Sequence, residues 1–286
     1  MGIFGLFSVE KFVNRDWEAA RDLPDLTGKV AVVTGANAGL GLITVQNLYE
    51  KGCKVYVAAR SKEKAEEAIE EIISHIPQGQ PSNLVFLPFD LTDLQSIREA
   101  AHTIERNEER LDIVVNNAGV MAWPYKIVNG IEVQFWNHLG HFALVSHLLP
   151  LLKRTSQLGG PSSVRIVNVT SIGHTLFAPK ELEFASIEEV NQEYGTTWNR
   201  YGQSKVANIL FSLALQDRLK GLNIRVNSCH PGNVATTLNR GAQESYGIFG
   251  RLYARAEKYF LMTPKDGAKT QTYLAASPEI DDENYS

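Results

Sequence analysis

Six short runs of mostly apolar, often β-branched residues recur along the chain, and longer helical patterns fill the intervals between them. The runs are Lys29–Thr34, Lys54–Ala59, Leu84–Phe89, Leu111–Asn116, Val164–Thr170 and Asn223–Ser228. A strand that is apolar on both faces belongs inside a parallel sheet covered by helices, because a half-solvated antiparallel strand would alternate with polar residues. The segments 61–76 and 96–110 place glutamates early and repeat apolar residues at intervals of three and four, as amphipathic helices do. Strand–helix alternation of this kind leads to right-handed βαβ crossovers, and so to an α/β fold with a doubly wound parallel sheet and helices on both faces. No repeat, low-complexity tract or linker interrupts the pattern. The expectation is one domain over residues 27–286 behind an N-terminal extension, residues 1–26.

Composition removes several classes of function. The chain has 286 residues, 44% hydrophobic and 21% charged, enough for a sizeable core. A net charge of −4, with 28 Lys and Arg spread along the sequence, argues against nucleic acid as a partner. The two cysteines, Cys53 and Cys229, form no CxxC and no Cys/His cluster, so free thiols, no metal and a reducing, cytoplasmic setting are expected. In a sheet of this kind they fall on opposite sides, too far apart to pair. No run of about 18 apolar residues is present to span a bilayer. The start, MGIFGLFSVEKFV, lacks the basic region and long apolar core of a secretion signal, and Leu6 breaks the myristoylation pattern. Within residues 1–13, Ile3, Phe4, Leu6, Phe7 and Phe12 leave three roles open: docking on the domain, capping an oligomer such as a homodimer, or peripheral contact with a membrane such as endoplasmic reticulum or a lipid droplet.

The first run passes directly into Thr34-Gly35-Ala36-Asn37-Ala38-Gly39-Leu40-Gly41, and a helical pattern follows. Glycines there allow a tight turn and a close approach of backbone to a pyrophosphate, which sits on the helix N-terminus where free N–H groups favour anions. At the end of the second run an acidic residue would select NAD, whereas an arginine accommodates the extra phosphate of NADP. The sequence there reads Ala58-Ala59-Arg60, which favours NADP(H) with NAD(H) still open. Farther on, Tyr201-Gly202-Gln203-Ser204-Lys205 puts Tyr201 and Lys205 on one face of a helix. A nearby ammonium stabilises a phenolate and lowers its pKa from about 10, so Tyr201 is a candidate general acid or base.

These motifs have company in a fixed order. Asp90-Leu91 follows the third run, Asn116-Asn117-Ala118-Gly119 the fourth, and Asn137-His138-Leu139-Gly140-His141-Phe142 lies in the next helix. Ser171 ends the fifth run, and Pro231-Gly232 follows the sixth. Together they resemble the short-chain dehydrogenase/reductase family from about residue 27 to 276. The NHLGHF string and the long gap from Ser171 to Tyr201 look most like its retinol-dehydrogenase-like and WW-domain-oxidoreductase-like branch. The resemblance implies a single Rossmann-type domain and a catalytic tetrad. In it Tyr201 exchanges the proton, Lys205 bonds the nicotinamide ribose and depresses the tyrosine pKa, Ser171 orients the carbonyl, and Asn137 positions a water. It also implies cofactor contacts from Gly35, Asn37, Gly39, Leu40 and Gly41 at the pyrophosphate, and from Asp90 with Leu91 at the adenine. Asn117, Ala118 and Gly119 would lie beside the cofactor, and Pro231, Gly232, Val234 and Thr236 over the nicotinamide. Relatives are expected to continue into a seventh strand, whereas this sequence ends at Ser286.

Two long segments, 172–199 and 232–264, break the strand–helix rhythm and are expected to line the substrate pocket at the carboxyl edge of the sheet. Their Phe177, Leu238, Ile248, Phe249, Leu252, Tyr253 and Phe260 suit an apolar small molecule such as a retinoid, steroid, fatty aldehyde or polyketide-like ketone. Trp198 lies close enough to Tyr201 to join the wall. The histidines 138, 141, 147 and 174 read as packing or rim residues. The expected activity is an NADP(H)-dependent oxidoreductase. Alternatives are an epimerase or dehydratase on the same fold, or a non-catalytic dinucleotide-binding adaptor.

Overall fold

Every residue of β1 (Val30–Thr34) is buried, and its side chains alternate between two separate apolar layers. Val30 and Val32 enter one layer, Ala31 and Val33 the other, as the two-residue period of a strand dictates. Burying one valine contributes about 1.5–3 kcal/mol, which explains why the central runs are apolar throughout. The computed structural model describes residues 16–159, 164–234, 244–245 and 261–281. Around β1 it places β2 (Lys54–Ala59), β3 (Leu84–Pro88), β4 (Ile113–Asn116), β7 (Val164–Val169) and β8 (Ile224–Cys229) in one parallel sheet of order β3-β2-β1-β4-β7-β8. This is the doubly wound sheet expected, with each predicted run within two residues of its strand at either end.

Helices α2 (Gly39–Glu50), α3 (Lys62–His75) and α9 (Pro264–Ala276) close one layer. Helices α4 (Leu94–Asn107), α5 (Trp136–Thr155) and α8 (Thr197–Arg218) close the other. The short α1 (Ala19–Asp22) packs at the edge, where Trp17 meets Tyr273 of α9 edge-on at 5.5 Å. Trp17, Leu23 and Leu26 are buried, so the last ten residues before position 27 are continuous with the domain body. No described helix is long and apolar enough to cross a membrane. Residues 1–13, with their three candidate roles of docking, oligomer capping and membrane contact, lie outside the described residues.

Three features were not anticipated in detail. A two-stranded hairpin, β5 (Ile127–Val128) with β6 (Ile131–Glu132), sits between β4 and α5. Its turn is Asn129-Gly130, with φ of 50° and 82°, the pair that tight hairpins prefer. The segment 172–199 carries two single-turn helices, α6 (Gly173–Leu176) and α7 (Ile187–Val190). The carboxylate of Glu189 collects the backbone N–H groups of Glu183, Phe184 and Ala185 at 2.8–2.9 Å, which holds Phe184 at a φ of 54°. Of the second pocket segment, Leu238, Ile248, Phe249, Leu252, Tyr253 and Phe260 lie outside the described residues. Cys53, just ahead of β2, and Cys229, ending β8, are buried free thiols with three strands between them.

Candidate active site

The carboxyl ends of β1, β4 and β7 meet where the strand order reverses, the usual ligand crevice of an open α/β sheet. Gly35 and Gly39 hold φ of 63° and 57°, a region costly for any side chain. A Cβ on Gly35 would lie 2.9 Å from the Ala118 Cα, and one on Gly41 would run into the Gly35 carbonyl oxygen. The loop therefore fits only as backbone on backbone. Asn37 is half-buried in the turn, and Leu40 packs against Gly267 of α9. Helices α3, α4 and α9 are capped by Ser61, Asp93 and Thr263. By contrast, α2 starts behind Ala38 with no side-chain cap and no acid in its first turn. Its leading N–H groups have the chemistry of an anion site, which fits a dinucleotide pyrophosphate.

Thr34 ties this loop to β4. Its Oγ1 accepts from the N–H of Asn117 at 3.0 Å and of Ala118 at 2.9 Å, and bonds His141 Nε2 at 2.9 Å. Asn117 Nδ2 returns a bond to the Thr34 carbonyl at 2.8 Å, and Gln271 Nε2 donates to Asn117 Oδ1 at 3.3 Å and to Thr44 Oγ1 at 2.6 Å. His141, read from sequence as packing, also bonds the Asn137 carbonyl through Nδ1 at 2.8 Å. Thr34, His141 and Gln271 thus support the loop, and nothing in their local sequence signals it.

The four residues of the expected tetrad come from three elements and converge. Asn137, fully buried in the first turn of α5, accepts from Val120 N–H at 2.8 Å and donates to the Val120 carbonyl at 2.9 Å and to Ser204 Oγ at 3.2 Å. Gly119 lies against it, since a Cβ there would come within 3.1 Å of Asn137 Oδ1. Ser171, just past β7, accepts from Gly173 N–H at 3.1 Å and hydrogen-bonds the Tyr201 phenol. Lys205 lies one turn after Tyr201 on α8. Its Nζ donates to the Val169 carbonyl at 2.9 Å and sits 5.6 Å from the Tyr201 ring centroid. The ring of Trp198 meets Tyr201 edge-on at 6.5 Å, and Phe177 stacks on Trp198 at 5.1 Å.

Burial pushes the Tyr201 phenol up to about 12, opposed by the Ser171 hydrogen bond, and pulls Lys205 down to about 8. Lys205 donates to the Val169 carbonyl, and burial is the largest influence on the phenol.

The outer contacts fall as follows. Arg60 is exposed at the end of β2, and the strand ends Ala58-Ala59 without a carboxylate. Asp90 uses Oδ1 to accept from Thr92 N–H and Oγ1 at 2.9 and 2.8 Å, while Leu91 packs on Gly140 of α5. Past β8, Pro231 leads into Gly232 at φ 87°, where a Cβ would lie 2.5 Å from Met262 Sδ. Val234 bridges to Met262 and abuts Gly267. Thr236 lies outside the described residues. Among the described residues no cluster of His, Cys, Asp or Glu is grouped to hold a metal.

Residues 29–180 match the family described as short chain dehydrogenase. An uncharacterized oxidoreductase of Schizosaccharomyces pombe is 40% identical over 92% of this chain and 76% of its own length. The chain is a short-chain dehydrogenase/reductase. Retinol dehydrogenase 14 of Mus musculus is 39% identical over 89% of this chain and 75% of its own length, in keeping with the retinol-dehydrogenase-like branch. Among solved structures, the Pseudomonas aeruginosa RhlG/NADP active-site complex superposes with a TM-score of 0.67, at 26% identity over 89% of this chain and 92% of that one.

Proposed function

We propose that this reductase moves a hydride between NADP(H) and the carbonyl or alcohol carbon of an apolar substrate, with Tyr201 as the general acid and base. The observation that carries the reading is the convergence of Asn137, Ser171, Tyr201 and Lys205 beside the uncapped start of α2. The dinucleotide, when bound, supplies the hydride. The first-turn N–H groups of α2 bind its pyrophosphate, and the glycines of the loop let the backbone come close. Arg60 stands where a ribose 2′-phosphate would be held, and no carboxylate at the end of β2 competes for the ribose hydroxyls.

Ser171 donates a hydrogen bond to the substrate oxygen and holds it near the phenol. In the reducing direction Tyr201 gives its proton to that oxygen as charge develops there, and the Lys205 cation stabilises the phenolate left behind. Asn137, fixed by both polar groups of Val120, orients a water that returns the proton. Phe177 and Trp198 form an aromatic wall leading to Tyr201, which suits an apolar substrate; the retinol dehydrogenases among the relatives support that class.

The test is NADPH and NADH oxidation over a panel of apolar aldehydes and ketones, with Tyr201→Phe in parallel. The expected outcome is NADPH-dependent turnover that falls about a thousandfold in the variant, within the range of general-acid effects, while calorimetric NADPH binding is retained. Full turnover in Tyr201→Phe, or no dinucleotide binding at all, would sink the proposal.

A further inference from the structure

Away from the tetrad side chains, the described residues include an ion pair with both partners buried. Glu132 Oε1 accepts from Arg200 Nε at 3.1 Å, and the two side chains are 1% and 3% exposed. Burying two charges costs more than their attraction returns unless further hydrogen bonds complete the site. Here the carboxylate's further bonds run to the backbone leading into α5, and the guanidinium projects from the first turn of α8, the two helices that carry Asn137, Tyr201 and Lys205. Glu132 Oε2 accepts from the N–H of Gln134 at 2.9 Å and of Phe135 at 3.3 Å, the residues that lead into α5. A carboxylate at a helix start also meets the positive end of the helix dipole. Arg200, in the first turn of α8, donates through Nη2 to the Trp123 carbonyl at 3.3 Å and lies 5.3 Å over the Tyr125 ring. Gln134 Nε2 adds a direct bond to the carbonyl of Thr197, the first residue of α8, at 2.9 Å.

The carboxylate itself is fixed from behind. Glu132 ends the hairpin strand β6, and its N–H donates to Asn191 Oδ1 at 2.8 Å while Asn191 Nδ2 donates to Gly130. From this anchored group, Asn137 is two residues past Phe135 and Tyr201 is the neighbour of Arg200. The two helices also meet directly, through the 3.2 Å bond from Asn137 to Ser204 and, next along α5, through His138, which hydrogen-bonds Asn208 and packs on Phe211.

We propose that the Glu132–Arg200 pair is a positioning device that sets the offset between α5 and α8, and with it the placement of Asn137 relative to Tyr201. The inference rests on the tetrad reading given above. Glu132 and Arg200 are buried too deeply to meet a ligand directly, and they act through the helix starts they hold. Placement errors of a fraction of an ångström to one ångström are enough to slow a proton relay strongly.

The experiment uses the full chain, with Glu132→Gln and Arg200→Lys made alone and on an Asn137→Ala background. Glu132→Gln keeps the shape and loses the charge; Arg200→Lys keeps the charge and loses the planar fork. Each is expected to lower kcat about tenfold at a temperature where the protein stays folded, with calorimetric NADPH affinity retained. On the Asn137→Ala background the same substitutions are expected to cost almost nothing, because the group they position is gone. Amide hydrogen exchange is expected to quicken in the first turns of both α5 and α8 while β1 and β4 stay protected. Equal kcat losses on both backgrounds, unchanged kcat with only a lower Tm, or quickened exchange confined to one helix would each overturn the proposal. Should Glu132→Gln fail to fold, Arg200→Lys carries the same readings. If the unaltered chain turns over no carbonyl, the functional reading fails by itself, and the exchange pattern still decides whether the pair holds the two helices.

Discussion

Burial moves the two central titratable groups in opposite directions. With its phenol pushed up to about 12, Tyr201 is protonated at neutral pH and ready to donate, which is the state reduction needs. With its ammonium pulled down to about 8, Lys205 is still mostly charged at pH 7 but sits near the edge of that range. In the proposed mechanism the charged form stabilises the phenolate, so raising the pH through about 8 would remove the helpful cation. The expected pH profile of kcat/KM for reduction therefore has a falling limb near pH 8, well below the ordinary lysine range. Initial rates between pH 6 and 10, with NADPH saturating, check this; a profile flat to pH 10 would show that the ammonium of Lys205 is not the group that matters.

At the scale of elements, α2 is the helix whose start is built from loop backbone alone, and its fit depends on Gly41. A methyl group at that position would meet the Gly35 carbonyl oxygen and lie 2.7 Å from Asn117 Nδ2, neither of which can swing away without breaking the Thr34 network. Gly41→Ala is expected to cost about 1–3 kcal/mol of stability, as overpacking does, and to weaken NADPH binding more than it lowers Tm suggests, because the displaced atoms belong to the proposed anion site. Thermal unfolding and calorimetry on the same preparations separate the two effects. The strands and the glycine loop were legible in the sequence because both depend on local chemistry: apolar runs need a sheet with two covered faces, and glycines next to a strand end need a tight turn. The tetrad was legible because Tyr201 and Lys205 share one helix turn and the other motifs come in a fixed order. The supports were not legible. His141 reaches Thr34 across 107 residues and Arg200 reaches Glu132 across 68, and a lone polar residue in an apolar helix looks the same whether or not it finds such a partner. The hairpin escaped because each strand has two residues, too few for any periodicity, although Asn129-Gly130 marks its turn.

For the molecule as a whole, three histidines held neutral by burial decide the response to acid. Desolvation lowers His141 to about 3, and His138 and His230 to about 4, from an ordinary value of 6.5. In the unfolded chain they bind protons as the pH falls through 6.5, whereas in the folded chain they stay neutral until near 4 or below. Their contribution to stability is therefore complete above about pH 6.5 and is lost as the pH drops, with unfolding taking up as many as three more protons. At about 1.4 kcal/mol per proton and pH unit, the slope approaches about 4 kcal/mol per pH unit near pH 5. The carboxylates Asp22, Asp25 and Asp266, held below their ordinary values, add losses of the same sign only at lower pH, and Glu132, raised by burial, opposes them. Between pH 6.5 and 5 the histidines should dominate. His138 offers a useful variant, because it lies among Phe135, Phe142 and Phe211 with its Nδ1 buried and unpartnered, and its one hydrogen bond, to Asn208, is lost in a leucine variant at every pH alike. His138→Leu keeps the apolar contacts and removes one titrating group, so its urea midpoint should decline less steeply between pH 6.5 and 5, by about one proton's worth of slope. Parallel curves for the two proteins would mean that His138 accepts a proton in the folded state, and hence that its pocket admits water.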